Sequence, residues 1–287
     1  MADAERRRKP PGALARLLAH PSFRWGFLLF ALVVISAVFA SWLAPFDPMR
    51  NNFRTRFIAP NETFWLGTDR FGRDVLSRTL HGGQVSLRIG LGVALFTGLV
   101  GGLIGALAGF VRRLDDPLMR FMDALMAFPA VLLAIALAAA LGPSEMNVIL
   151  ALSIAYVPRT ARVMRAGVMV VREFPFVEGA RSIGASPGRV LFRHILPNAM
   201  APLVVQQTYV FALAILAEAV LSFLGVGPPP PTPTLGGIIA EGRDYIQESP
   251  WISLVPGVAI AMTVLGLNLM GDGLRDALDP RLRTAIR

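Results

Sequence analysis

The chain has 287 residues, of which 54% are hydrophobic and 16% charged, and its formal net charge is +9. Because soluble globular domains carry about 25% charged residues, this composition excludes an ordinary soluble domain and predicts several membrane spans. The sequence has no cysteine and a single lysine, Lys9, which excludes thiolate metal sites, cysteine catalysis and a Walker-type ATP site. His20, His81 and His194 lie far apart and match no metal-ligand spacing.

Long uncharged runs of apolar residues predict an all-α polytopic membrane protein with six transmembrane helices. The first run is too long for a signal-peptide core and is followed by further runs, so we interpret it as a retained helix. Residues 74–88 place apolar side chains on one helical face and predict an amphipathic helix at the membrane interface. The fourth helix is expected to continue beyond the membrane. The six predicted spans are residues 25–44, 89–111, 124–141, about 147–158, 200–226 and 251–270.

Arginine and lysine are distributed unevenly between the connections of these spans. With the N-terminus inside, the inner segments carry 20 basic residues and the outer segments carry 8. The positive-inside rule therefore predicts that both termini are cytoplasmic, although the first outer segment, residues 45–88, holds 7 arginines. The same rule accounts for the high net charge, so we expect contact with membrane lipid and not with nucleic acid.

Glycines recur every four residues in the second predicted span. Gly101, Gly105 and Gly109 share one helical face, and Gly98 and Gly102 lie on an adjacent row. Small residues at this spacing let another helix approach closely. They predict a packed helix bundle and no ligand site.

The inner connection of residues 158–196 is longer than a turn between helices needs. Its pattern predicts a short helix over about 175–183, a break at Gly184 and a second helix from Ser186, with Pro187 in its first turn. Pro197 is expected to mark the start of the fifth span. A helix–glycine–helix hairpin on the cytoplasmic face is a suitable shape for docking into another protein.

This connection resembles the cytoplasmic loop of ABC importer permeases, which reads Glu-Ala-Ala, three residues, Gly, nine residues, Ile, one residue, Leu-Pro. Gly179 replaces the middle alanine of that pattern, and His194 stands where isoleucine is usual. The resemblance implies that this loop couples the chain to an ATPase. The residues that it assigns to coupling are Glu178, Gly179, Ala180, Gly184, Leu196 and Pro197.

Three more stretches extend the resemblance to roughly residues 20–283, within the dipeptide, oligopeptide and nickel branch of these permeases. It implies a type I ABC importer permease-like bundle in the bacterial plasma membrane. It also implies a second homologous permease subunit, two ATPase subunits that bind ATP, and an extracytoplasmic substrate-binding protein. The stretches are residues 66–74, residues 242–245 ahead of Pro250 and Trp251, and residues 271–280.

On this basis we expect a permease subunit, not an enzyme, that forms half of the pathway for dipeptides, oligopeptides or a related solute such as nickel chelates or glutathione. Residues 1–64 are expected to hold the N-terminus, the first helix and the start of the outer loop. Residues 65–287 are expected to form the transmembrane domain with the coupling loop. The alternative is a proton-coupled secondary transporter.

That alternative depends on Glu218, the acidic residue inside the fifth apolar run. A charged, unpaired carboxylate within a membrane is costly. Three roles are open for it: a structural partner or water-filled vestibule, a contact with substrate in the translocation pathway, and a proton-coupling site.

Arg159, Arg162 and Arg165 recur every third residue, as in a voltage-sensing helix. The uncharged stretch before them is short, so we expect them to anchor the helix at the cytoplasmic face. Contacts with lipid headgroups or with the acids of residues 115–123 are expected there.

Four consecutive prolines, 228–231, predict a stiff extended spacer after the fifth span. Residues 235–248 predict a short helix lying at the outer surface. The resemblance implies that the outer loops meet the binding protein, while a rigid connector is the alternative.

Overall fold

The structure is a computed structural model, and it describes Leu17 and residues 20–278. The basic N-terminal residues and the end of the tail, including Arg287, lie outside this part. The helices are α1 (Pro21–Val38), α2 (Ala40–Leu43), α3 (Val75–Phe110), α4 (Arg112–Met126), α5 (Ala130–Leu141), α6 (Glu145–Val171), α7 (Pro175–Ser182), α8 (Pro187–Arg189), α9 (Leu196–Phe223), α10 (Leu235–Gly242) and α11 (Trp251–Leu278).

Within the described residues, four helical segments are long and apolar enough to cross a membrane. They are α1, α3, the continuous stretch Pro187–Phe223 and α11, and the bent pair α4–α5 raises the number to five. The helix α6 has 27 residues but includes Glu145 and the arginines 159, 162 and 165. The all-α membrane architecture is therefore confirmed, whereas the number of six spans remains a prediction.

The core lies where α3, α5, α6 and α9 meet. Val93 of α3, Ala134 of α5, Leu152 of α6 and Ala214 of α9 are among its buried residues. The helix α1 packs separately against α11, where Gly26 and Gly266 bring the two backbones into contact. Such close packing of small residues replaces the hydrophobic driving force that lipid does not supply.

The predicted glycine rows are confirmed as packing surfaces. A β carbon on Gly101 would lie 2.9 Å from the carbonyl oxygen of Val157, and one on Gly109 would lie 2.9 Å from that of Arg165. The adjacent row faces α9 instead, since Gly98 lies against Gln207. The helix α3 is thus held between α6 and α9.

The predicted interfacial helix at residues 74–88 is wrong. These residues are the first turns of α3, which begins after Asp74 and runs for 36 residues without a break. Val75 and Arg78 are 0% and 3% exposed. The apolar face that suggested an interface contacts other parts of the protein, since Val75 packs with Ile238 and Ile252.

The apolar run 124–141 does not form one straight span. α4 and α5 meet at an angle of 86°, and the chain is extended at Pro129. Because helical backbone is disfavoured at the residue before a proline, Phe128 cannot continue α4, which ends at Met126. The 12 residues of α5 extend about 18 Å, less than the roughly 30 Å of a bilayer core.

The bundle has two ends, which we name by their segments. The loop end carries residues 172–196. The far end carries residues 45–74 and 227–250. Trp251, which directly follows the second segment, donates a hydrogen bond from its indole to the carbonyl of Thr68 in the first segment, at 3.1 Å.

Candidate functional site

The short helix α7 at the loop end is shaped by a residue at each of its ends. Pro175 occupies its first turn, where a missing N–H costs nothing. At its other end the N–H of Gly184 donates to Arg181 and that of Ala185 donates to Ala180. This is a Schellman motif, and Gly184 takes the left-handed conformation that it requires, with φ of +81°. The predicted break at Gly184 is confirmed.

One face of α7 is anchored in the bundle. Val177 is fully buried and packs in a cluster with Met164 and Val168 of α6 and Leu203 of α9. Ala180, the last residue of the Glu-Gly-Ala triplet, is also buried. The direct neighbour of α7 in this cluster is the π-helical turn over Val190–Ile195, which leads into α9.

The opposite face of α7 is exposed and combines apolar side chains with the charged Glu178 and Arg181. It presents Glu178 and Gly179 together with Phe174 and Phe176, each 44% exposed. Ile183, which follows the helix, is 88% exposed. An exposed apolar surface beside a charged residue is typical of a protein contact. Our sequence reasoning did not single out Phe174, Phe176 or Ile183, although apolar residues on the outward face of so short a helix were a usable signal.

The second helix of the hairpin begins at Pro187, one residue after the predicted start, and continues to Phe223. Pro197 lies in the first turn of α9, near the start of that helix as predicted. The helical stretch from Pro187 nevertheless passes through it without a break. A π-helical turn over Val190–Ile195 precedes it. Ile195 is buried in the same cluster as Val177. It therefore takes the apolar place of the isoleucine in the pattern, while His194 beside it is half-buried.

Ion pairs connect α6 to α4 near the loop end. Arg165 contacts Asp115 at 2.5 Å, and Arg162 contacts Asp123 at 2.6 Å. Arg159 is exposed. The expected contacts with the acids of residues 115–123 are thus confirmed for two of the three arginines, and they hold α4 against α6.

Glu218 lies on α9, remote from the coupling loop. It is 0% exposed. The hydroxyls of Ser86 and Ser222 donate to its two carboxylate oxygens, each at 2.6 Å. The first of these bonds joins α9 to α3, so the structure gives Glu218 a structural partner. The structure does not bring Glu218 together with the residues of the coupling loop.

The described residues form a helical membrane bundle in which α7 has one buried face and one exposed face. Residues 98–284 match the family of binding-protein-dependent transport system inner membrane components, and residues 12–60 match the N-terminal transmembrane domain of oligopeptide transport permease C. The chain belongs to the first family, and it is a multi-pass permease subunit of the inner membrane.

Two relatives and one solved structure illustrate the similarity. A putative peptide transport system permease of Brucella abortus is 54% identical over 93% of this chain and 90% of its own length. A di/tripeptide transport system permease of Pseudomonas aeruginosa is 46% identical over 93% and 91%. The inward-facing methionine ABC transporter MetNI matches with a TM-score of 0.57 at 18% identity, over 73% of this chain and 96% of the other. This last match shows the fold alone.

Proposed function

We propose that this chain forms half of the translocation pathway of an ATP-driven importer for dipeptides, oligopeptides or a related solute such as a nickel chelate or glutathione. The names of the two relatives, aligned over 93% of this chain, support a peptide-type substrate. A second homologous permease supplies the other half of the pathway. Two ATPase subunits bind ATP, so this chain needs no cofactor, and an extracytoplasmic binding protein delivers the solute.

The observation that carries this proposal is the two-sided construction of α7. Its exposed face, with Phe176, Glu178 and Ile183, is the proposed contact with an ATPase. On its buried face Ala180 is buried, and Val177 belongs to a cluster that also contains residues of the π-helical turn over Val190–Ile195, of α6 and of α9. A push on the exposed face is therefore transmitted to two long helices of the bundle.

The six predicted coupling residues have different parts in this proposal. Glu178 and Gly179 belong to the contact surface, Ala180 to the anchor and Gly184 to the turn that ends α7. Leu196 and Pro197 join the hairpin to α9 without a break, so that a displacement of the hairpin is carried into the pathway.

In this assembly the loop end faces the cytoplasm, as do both termini. The 20 basic residues of the inner segments against 8 in the outer segments support this orientation. In the folded protein three of the seven arginines of residues 45–88 are paired with acids: Arg73 and Arg78 with Asp69 and Glu241, and Arg88 with Glu145 at 3.0 Å.

The second candidate function is proton-coupled transport through Glu218. A carboxylate held by two hydroxyls and 0% exposed favours a structural link between α3 and α9 over a carrier, because a proton carrier needs access from both sides. A contact of Glu218 with the solute remains a prediction.

Co-purification tests the ATP-driven proposal. The tagged chain is expressed with the ATPases and second permease of its operon, and we expect it to recover the ATPases. Ile183→Ser removes an apolar contact and should lower that recovery several-fold. Ile246→Ser is the matched control, since Ile246 is 55% exposed at the far end. Equal recovery by both variants contradicts the docking role, and recovery of no ATPase by the parent chain contradicts the proposed function.

Uptake assays then identify the solute. Vesicles containing the whole transporter and its binding protein are offered a labelled dipeptide, a longer peptide, glutathione and a nickel chelate in turn. ATP-dependent accumulation of a peptide is expected. Accumulation of glutathione or of nickel alone moves the assignment to that solute.

A further inference from the structure

Four charged side chains meet at the far end of the bundle in what we call the far-end ion cluster: Asp69, Arg73, Arg78 and Glu241. Arg73 and Arg78 each contact Oδ2 of Asp69 at 2.6 Å. Arg78 also donates to the two oxygens of Glu241 at 2.7 and 3.1 Å, and Arg73 donates to Oε2 of Glu241. Two arginines balance two acids, so these four side chains have no net charge.

The far-end ion cluster joins residues 69–78 to α10, and it takes three of its members from the first segment and one from the second. Asp69, Arg73 and Arg78 belong to one stretch, in which the backbone N–H groups of Phe71 and Arg73 donate to Oδ1 of Asp69 at 2.8 and 2.9 Å. The guanidinium of Arg73 also lies 4.6 Å from the centre of the Phe71 ring. Glu241 comes from α10. Its side chain is 23% exposed, whereas that of Asp69 is 1% exposed.

This asymmetry makes the contact with Glu241 the one that can open. If Glu241 leaves, both arginines keep Asp69 as a counter-ion, and Glu241 reaches water directly. If Asp69 were removed instead, two buried guanidinium groups would lose their innermost partner, which is strongly unfavourable. The cluster can therefore separate between α10 and the rest with both arginines still in contact with Asp69, and the one positive charge that Asp69 does not balance is then met by water where α10 has moved away.

The helix α10 covers the far ends of two long helices. A β carbon on Gly82 of α3 would lie 3.2 Å from the backbone nitrogen of Leu235, and one on Gly236 would lie 2.1 Å from the carbonyl oxygen of Ala219 on α9. Ile238, on the buried face of α10, is 0% exposed. The predicted short helix is confirmed over Leu235–Gly242, and these glycines let its backbone pack closely on the bundle beside Glu218.

We propose that Arg73 and Arg78 are positioning residues that hold α10 closed through Glu241, and that this contact releases when the far end opens during transport. Release lets α10 move away from Gly82 and Ala219 and uncovers the pathway beside Glu218, while Asp69 keeps the two arginines in place. This inference rests on the proposed function, since the transport cycle supplies the opening.

Cysteine labelling of the assembled transporter tests the closed contact, because the chain has no native cysteine. Ile238→Cys is introduced, and its rate of reaction with a membrane-impermeant maleimide is measured in sealed right-side-out vesicles. Glu241→Gln should raise the rate at least about tenfold, equivalent to about 1.4 kcal/mol. Glu241→Asp, which keeps the charge, should restore most of the protection.

Asp244→Asn is the matched control. Asp244 is an exposed carboxylate three residues away that contacts Arg243, so its change should leave the labelling rate unaltered. Equal labelling rates in Glu241→Gln and Asp244→Asn would overturn the proposal that Glu241 holds α10 closed. Ala151→Cys, buried at the bundle centre, reports on general unfolding. If Glu241→Gln also exposes position 151, the far-end ion cluster has only a general structural role, and the proposal that it holds α10 closed is overturned.

Release is tested in right-side-out vesicles that are loaded with ATP inside and given binding protein outside, with the single cysteine of this chain at position 238. Labelling should accelerate in the parent chain and change little in Glu241→Gln, where the contact is already open. ATP hydrolysis without binding protein should rise in Glu241→Gln but not in Asp244→Asn. If ATP drives uptake in these vesicles but the labelling rate of position 238 in the parent chain does not change during transport, the proposed release of α10 is overturned. If ATP drives no uptake, the proposed function has failed, and the release it would power fails with it.

Discussion

A β carbon on Gly105 would lie 2.2 Å from the carbonyl oxygen of Ala161. α3 and α6 therefore meet backbone to backbone, in the middle of a row in which Gly101 and Gly109 make similar contacts one turn away on each side. Because an alanine at this point would overlap a main-chain atom and not the tip of a flexible side chain, the two helices would have to move apart.

The first prediction follows from this contact. Gly105→Ala should destabilise the protein by about 1–3 kcal/mol, the usual cost of overpacking a close contact. Gly257→Ala is the control, since a β carbon there meets nothing within 4 Å in a helix of similar length. Thermal unfolding in one detergent should show a lower midpoint for the first variant alone. Equal midpoints would show that α3 and α6 separate freely.

The second prediction compares two glycines of the coupling loop. Gly184→Ala places a β carbon on left-handed backbone, which costs about 1–2 kcal/mol, and it should reduce coupled transport by loosening the turn after α7. Gly179→Ala meets nothing within 4 Å and restores the alanine of the family pattern, so it should stabilise α7 by about 0.5–1 kcal/mol. ATP hydrolysis and uptake are measured together. Loss of coupling in Gly179→Ala, or normal coupling in Gly184→Ala, contradicts the assignment.

The third prediction concerns orientation. Ile183→Cys and Ile246→Cys place single thiols at the loop end and the far end, and both parent side chains are exposed. In intact cells that express this chain without the ATPases, an impermeant maleimide should label only position 246, and both positions should react after the membrane is permeabilised. Labelling of position 183 in intact cells would reverse the topology and remove the coupling loop from the cytoplasm.

The fourth prediction separates the two transport mechanisms. Glu218→Gln keeps an oxygen acceptor for the hydroxyls of Ser86 and Ser222 while removing the carboxylate that would carry a proton. We expect uptake to survive at a substantial level in this variant. Collapse of the proton gradient at constant ATP should likewise leave uptake largely intact in the parent chain. Loss of uptake in both experiments would favour the secondary transporter.

A hydroxyl variant provides the comparison for that result. Ser86→Ala removes the hydroxyl that donates to one Glu218 oxygen and leaves that buried oxygen without this hydrogen bond. The loss should lower the free energy of unfolding by about 1–3 kcal/mol. It should lower the thermal midpoint more than Glu218→Gln does, if Glu218 serves as a link between α3 and α9. A larger loss in Glu218→Gln would show that the carboxylate itself is required.

The local sequence was sufficient for features that depend on neighbouring residues. The uncharged runs predicted membrane helices because insertion depends mainly on composition over about 20 residues. The glycine row at 101–109 predicted close packing because its four-residue period places it on one face. The break at Gly184 followed from the motif, and the structure supplies its reason in the left-handed φ of +81°.

The sequence did not determine which faces meet. Residues 74–88 have an apolar face that suits either lipid or protein, and only the tertiary structure shows that Val75 packs against Ile238 and Ile252. Residues 235–248 likewise predict a short helix, and only the tertiary structure shows that the glycines at 82 and 236 let α10 pack closely on α3 and α9.

By itself, the sequence determined that this chain is a membrane permease with a long helix–glycine–helix loop, because hydropathy and a contiguous motif are properties of nearby residues. Only the tertiary structure decided that Glu218 is held by Ser86, 132 positions away, and that Arg78 meets Glu241, 163 positions away. A buried charge is stable where a partner completes its hydrogen bonds, and no local pattern specifies which distant helix supplies that partner. The pairing of these charges is therefore a property of the folded bundle.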